Sequence, residues 1–191
     1  DMGMNYLAMT DHAVLYGAVE FYRAAESAGI KPIIGCDVYV ARNGIAERKT
    51  QRDNMSLVLL AENQTGYNNL VKLVSHAHLR GMYYKPRIDK EMLREYAEGL
   101  IGLSGNLRGE VNDACRDEDL ERAEKLALEY ADILGPNNFF LELMDHGEAD
   151  EKTANRNLIA LAQKTGLPLV ATNDVHYVKQ EHAEAHDVLT C

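Results

Sequence analysis

The chain has 191 residues with 46% hydrophobic and 26% charged side chains, enough for one soluble domain with a core. Its formal charge of -10 argues against nonspecific binding to nucleic acid, because phosphate repels an acidic surface. No apolar run approaches the roughly 20 residues of a membrane span, and the start Asp1-Met2-Gly3-Met4 carries no signal-peptide pattern.

Short apolar runs alternate with longer amphipathic stretches. The runs predict strands over Tyr6–Met9, Ile33–Val40, Leu57–Ala61, Leu100–Leu103, Phe139–Met144 and Leu167–Thr172. Helical periodicity covers Gly17–Ala28, Gly66–Leu79, Glu118–Leu134 and Ala149–Thr165, with stop signals at Gly29, Gly135-Pro136 and Gly166. Such alternation predicts an α/β layer or barrel with a mainly parallel sheet, in which ligands gather at the carboxyl ends of strands. Arg42–Asn54 lacks patterning and reads as a mobile surface loop. Without a repeat or linker, residues 1–191 read as a single domain.

Polar residues cluster where the strands should end, at Thr10-Asp11-His12, Ser104-Gly105-Asn106, Asp145-His146 and Thr172–His176, and the second strand contains Gly35-Cys36-Asp37. Asp174 and His176 are two apart, so in an extended segment they project to one side, as two ligands of a divalent metal would. The same spacing also suits a turn-forming Asp beside an unrelated His. Of Asp11 and His12 only one can face such a centre; Asp11 or Thr10 can cap the next turn, and His12 is the candidate ligand. Asp37 lies in an apolar strand and needs a metal, a histidine or water. His76 and His78 read as surface or packing residues, and His182 and His186 lack a third ligand. Cys36 points away from Asp37 into the core, and three cysteines without knuckle spacing suit a reducing cytosol. No phosphate-cradling Gly-Lys loop or nucleophile elbow is present in the sequence.

Five ordered segments carry a family resemblance: LAMTDHAVLYGAVEFYRAAESAGIKPIIGCDVYVA, LLAENQTGYNNLVKLVSHAHLRGMYYKPRIDKEML, EGLIGLSGNLRGEV, FFLELMDHG and LPLVATNDVHYVKQEHAEAHDVL. They resemble the polymerase-and-histidinol-phosphatase (PHP) domain of bacterial DNA polymerase III alpha subunits. The resemblance implies a distorted seven-stranded, TIM-like β/α barrel, here missing its N-terminal strand with the family's opening His-x-His. It implies metal ligands at His12, Asp37, Asp174 and His176, with Asp37 standing where metal-retaining members carry Glu. It also places Ser56 and Asn106 at positions where those members carry His and Cys or His.

Four retained ligands imply at most one divalent metal, zinc or manganese, and a degenerate centre with no catalytic residue of its own. The resemblance therefore implies a cytoplasmic structural and docking module of a DNA-directed DNA polymerase, a nucleotidyltransferase of DNA replication. Its partners would be the remainder of the alpha subunit and the proofreading exonuclease, with DNA met through the rest of the parent chain. The alternative is a metal-dependent phosphoesterase, such as a 3′–5′ exonuclease or pyrophosphatase.

Overall fold

The computed structural model describes residues 3–48 and 54–190. Asp1, Met2, Cys191 and residues 49–53 of the expected loop lie outside the described residues. Seven strands form one curled sheet: β1 (Tyr6–Met9), β2 (Lys31–Ala41), β3 (Asn54–Ala61), β4 (Arg87–Ile88), β5 (Leu100–Leu103), β6 (Phe139–Leu143) and β7 (Leu169–Ala171). Their order is β1-β2-β3-β5-β6-β7, with β4 also paired to β2. The helices are α1 (Ala18–Ser27), α2 (Gln64–Leu79), α3 (Lys90–Glu95), α4 (Glu110–Arg116), α5 (Leu120–Leu134), α6 (Ala149–Thr165) and α7 (Ala183–Thr190).

The sheet is mainly parallel, as the alternation predicts, with one strand reversed. β3 runs antiparallel to both β2 and β5, whereas β1–β2, β2–β4, β5–β6 and β6–β7 are parallel. A parallel neighbour needs a crossover, usually a helix, whereas an antiparallel neighbour can follow a loop. The unpatterned stretch after β2 was therefore the sign of a chain reversal.

Alternation along β2 and β3 separates two faces. Cys36, Val38, Leu57 and Leu59, at 0–2% exposure, pack outward beneath Leu70 and Leu73 of α2. Asp37, Tyr39 and Ser56 point to the opposite, inner face, as period-two geometry requires. Burial pushes the Cys36 thiol up to about 12, so it stays a neutral core side chain.

The stretch after β2 is anchored rather than mobile where it is described. Arg87, at 2% exposure on β4, donates to the carbonyls of Ile45 (2.9 Å), Glu47 (3.0 Å) and Gly81 (3.1 Å). No sequence period reveals this contact, because an arginine reads as a surface residue until its partners are known.

Candidate metal centre and carboxylate–imidazole site

His12, Asp37, Ser56, Asn106, Asp174 and His176 line one cavity of about 360 Å³. Tyr39, Leu107, Arg108, Met144, His146 and Glu151 complete its wall. The curl of the sheet brings the segment after β1 against the segment after β7, with the His12 and His176 rings stacked at 6.0 Å.

His12 is held by backbone as well as side chain. The β1–β2 ladder is interrupted after Met9 and resumes as a bridge between His12 and Asp37. Asp37 N–H donates to Asp11 O, and Ala13 N–H to Asp37 O, at 3.1 and 2.8 Å. Neither Thr10 nor Asp11 caps the helix that follows; α1 is preceded by Gly17, which makes no side-chain cap.

Asp37 is 7% exposed and both of its carboxylate oxygens are engaged. Ser56 Oγ donates to Oδ1 at 2.7 Å, and His12 Nδ1 lies 2.9 Å from Oδ2. The hydrogen bond to Asp37 raises the His12 pKa above its ordinary value, against the opposing cost of burial. Asn106 sits on a turn whose Gly105 has φ +82°, a conformation open to glycine, and whose Cβ would lie 2.9 Å from Ser56 O. Buried Glu142 fixes this turn by accepting from Gly105 N–H (2.9 Å) and from Thr172 Oγ1 (2.6 Å). Burial raises the Glu142 pKa, with those two hydrogen bonds opposing it.

Asp174 and His176 are neighbours, but not through strand alternation. β7 ends at Ala171, and Asp174 takes φ +42°, a left-handed turn residue. The turn itself brings His176 Nε2 to 3.3 Å from Asp174 Oδ1. His186 of α7 packs against His176 at 5.4 Å between ring centres, a contact that the i, i+4 spacing with His182 did not signal. His76 and His78 do serve packing and loop contacts: His78 Nε2 meets Ala13 O at 2.8 Å, and the His76 ring stacks on Tyr96.

Sequence reasoning placed His146 in a strand-end polar cluster without giving it a role, and missed Glu151 and Arg108. His146 Nδ1 lies 2.7 Å from Glu151 Oε1, and its Nε2 lies 3.1 Å from Asn173 O. A carboxylate and a carbonyl both accept, so the two contacts together favour the doubly protonated ring. Its backbone N–H also donates to Glu151 Oε2 at 2.6 Å. Glu151 lies in the first turn of α6, five residues on, and the clustering of Asp145-His146 at a strand end was the available signal.

The Glu151 hydrogen bond, then the Asn173 carbonyl, raise the His146 pKa above its ordinary value. Burial pushes Glu151 up, but the His146 ring and backbone hydrogen bonds outweigh it and hold the carboxyl below its usual range. A raised histidine stabilises the fold fully below about 6.5, its unfolded value, and loses that contribution as pH rises through the folded value. The lowered carboxylate contributes above about 4.3 and loses its share as pH falls through its folded value. The pair is thus expected to stabilise most between those limits, and the optimum should vanish in His146→Ala. Urea unfolding from pH 4 to 9 measures this, and an unchanged pH profile in the variant would refute it.

The cavity is lined by three carboxylate–imidazole pairs: Asp37 with His12, Glu151 with His146, and Asp174 with His176. A metal needs several such donors turned to one point, whereas here each carboxylate faces its own imidazole. Among the described residues, no group of three or more His, Cys, Asp or Glu is arranged to hold a metal ion. The donor types fit a divalent metal and their arrangement does not.

A curled α/β sheet with helices outside and acid–imidazole groups at successive strand ends defines the class of barrel proteins with a strand-end polar centre. The PHP domain family matches residues 1–146, and the chain belongs to that family. It is 45% identical to DNA polymerase III subunit alpha of Treponema pallidum, covering 100% of this chain and 16% of the relative. Against the subunit of the same name from Thermus aquaticus it is 49% identical, over 96% of this chain and 15% of that protein. For Helicobacter pylori the identity is 37%, over 100% and 16%. The chain thus spans about a sixth of the length of these curated relatives. Among the described residues, no helix is long and apolar enough to cross a membrane.

Proposed function

We propose that this chain is the PHP module of a cytoplasmic replicative DNA polymerase alpha chain, acting as a brace and docking surface and not as a hydrolytic centre. The observation that carries this reading is the engagement of Asp37, whose two oxygens are taken by Ser56 and His12. Phosphoester hydrolysis on a metal cluster needs carboxylates and imidazoles free to turn toward the ions. Here the same groups knit the ends of β1, β2, β6 and β7 to one another, which is a bracing role. The whole of residues 1–191 forms one domain in this reading. The remainder of the alpha chain adjoins it, a separate proofreading exonuclease docks on it, and DNA is met by the rest of the polymerase.

A second reading is a metal-dependent phosphoesterase, an exonuclease or pyrophosphatase. The meeting of His12, Asp37, Asp174 and His176 in one cavity favours it. Metal content after dialysis with Zn²⁺ or Mn²⁺, unfolding temperature with and without chelator, and hydrolysis of bis(p-nitrophenyl) phosphate decide between the two. The brace reading expects no tight stoichiometric metal, a chelator-insensitive unfolding temperature and no hydrolysis. Bound metal together with hydrolysis lost in His176→Ala would establish the enzyme instead.

A further inference from the structure

We propose that the apolar groove between α1 and α2 docks one amphipathic helix, with basic flanks, from a separate polypeptide. This names a surface and a partner chemistry for the docking role above, and rests on that reading. The groove has a topological origin. Parallel neighbours need a crossover, usually a helix that covers the outside of the sheet, whereas antiparallel neighbours do not. β2 and β3 are antiparallel, and the described residues between them contribute no helix. The helix layer therefore passes from α1 to α2 with the outer face of β2 and β3 between them.

That face is apolar along its full length. The stripe that buries Cys36, Val38, Leu57 and Leu59 under α2 continues through Ile34 and Pro32 on β2 and Ala61 on β3. These last three are half-buried and line a cavity of about 450 Å³. Val19 and Tyr22 of α1 form its side, at 58% and 45% exposure.

The occupant follows from backbone pairing and charge. Pro32 and Ile34 are already paired to β1, and Ala61 to β5, so the groove offers no open strand edge to an added strand. A helix brings its own backbone hydrogen bonds and needs only an apolar stripe to lay into the trough. Glu26 and Glu62 line the groove against a single guanidinium, Arg23, and Glu20 is exposed on the same helix. Within a chain of net charge -10, that rim selects lysine or arginine beside the partner's apolar stripe.

The test uses the chain with a fluorescein-labelled helical peptide about 16 residues long, above the length at which isolated helices become marginal. The peptide carries a leucine stripe flanked by lysines, and a second peptide carries glutamates in place of those lysines. Anisotropy should show saturable binding of the lysine peptide, about tenfold or more weaker in Val19→Arg and in Tyr22→Arg, as for loss of one anchor. The glutamate peptide should bind at least about tenfold more weakly than the lysine peptide. Both substituted side chains are exposed, so unfolding temperature should stay unchanged. Absence of binding, equal binding of the two peptides, or indifference to both substitutions overturns the proposal. A dimer of the free chain that dissociates in Val19→Arg would overturn it too, by assigning the groove to a second copy. The metal and hydrolysis measurements judge the brace reading separately, so failure of one is distinguishable from failure of the other.

Discussion

Replacing Arg87 with alanine is expected to lower the unfolding free energy by about 3 kcal/mol, measured by urea denaturation. The guanidinium donates to three backbone carbonyls from two separate loops and stacks over Tyr83 at 5.1 Å. Alanine leaves one buried and two part-buried acceptors without their donor, each at a cost comparable to a lost hydrogen bond. Lysine should recover little, because one ammonium cannot reproduce a planar fork reaching Ile45, Glu47 and Gly81 together. Arg94 supplies the control: its 3.5 Å pair with Asp132 is exposed on both sides, and Arg94→Ala should cost about 0.5 kcal/mol or less. Equal effects of the two substitutions would refute the anchoring role. Because Arg87 is also the β4 partner of Tyr39, the same loss should loosen the wall of the polar cavity.

Gly109→Ala is expected to cost about 3 kcal/mol and to disturb the cavity as well. Gly109 has ordinary dihedrals, φ -71° and ψ 143°, so backbone freedom is not the reason. The reason is proximity: an added Cβ would lie 1.9 Å from the Ser104 carbonyl oxygen. That oxygen belongs to the turn carrying Asn106, and Ser104 Oγ in turn donates to Asn112 and accepts from Glu142 N–H. The turn must therefore move as a unit. Amide spectra should shift around residues 104–112 and 142, alongside the loss in urea stability. A spectrum perturbed at Gly109 alone would show that the turn yields without cost.

Both substitutions act at positions whose importance is invisible along the chain. Arg87 lies in a charged stretch and Gly109 in a polar turn, and what matters in each case is a backbone carbonyl reached from elsewhere. The same holds at the polar cavity. Glu151 reads as an ordinary acidic residue in the first turn of a helix, yet it holds His146 against Asn173. Asp174 and His176 show the converse: the expected proximity is present, while its cause is a left-handed turn and not an extended strand.

Short apolar runs located β1 and β5 to the residue, helical periodicity located α6 at Ala149–Thr165, and the ordered segments carried the family resemblance, while the short elements β4, α3, α4 and α7 had no pattern long enough to read. The family resemblance grouped His12, Asp37, Ser56, Asn106, Asp174 and His176, and the six line one cavity, which Asp37 and Ser56 reach from within β2 and β3 through strand alternation. Tertiary structure alone decided the direction of β3, the anchoring by Arg87 and the pairing of each carboxylate with its own imidazole. Direction, burial of a charge and hydrogen-bond partnership depend on which distant segments come together, and local periodicity carries no information about distance across the fold.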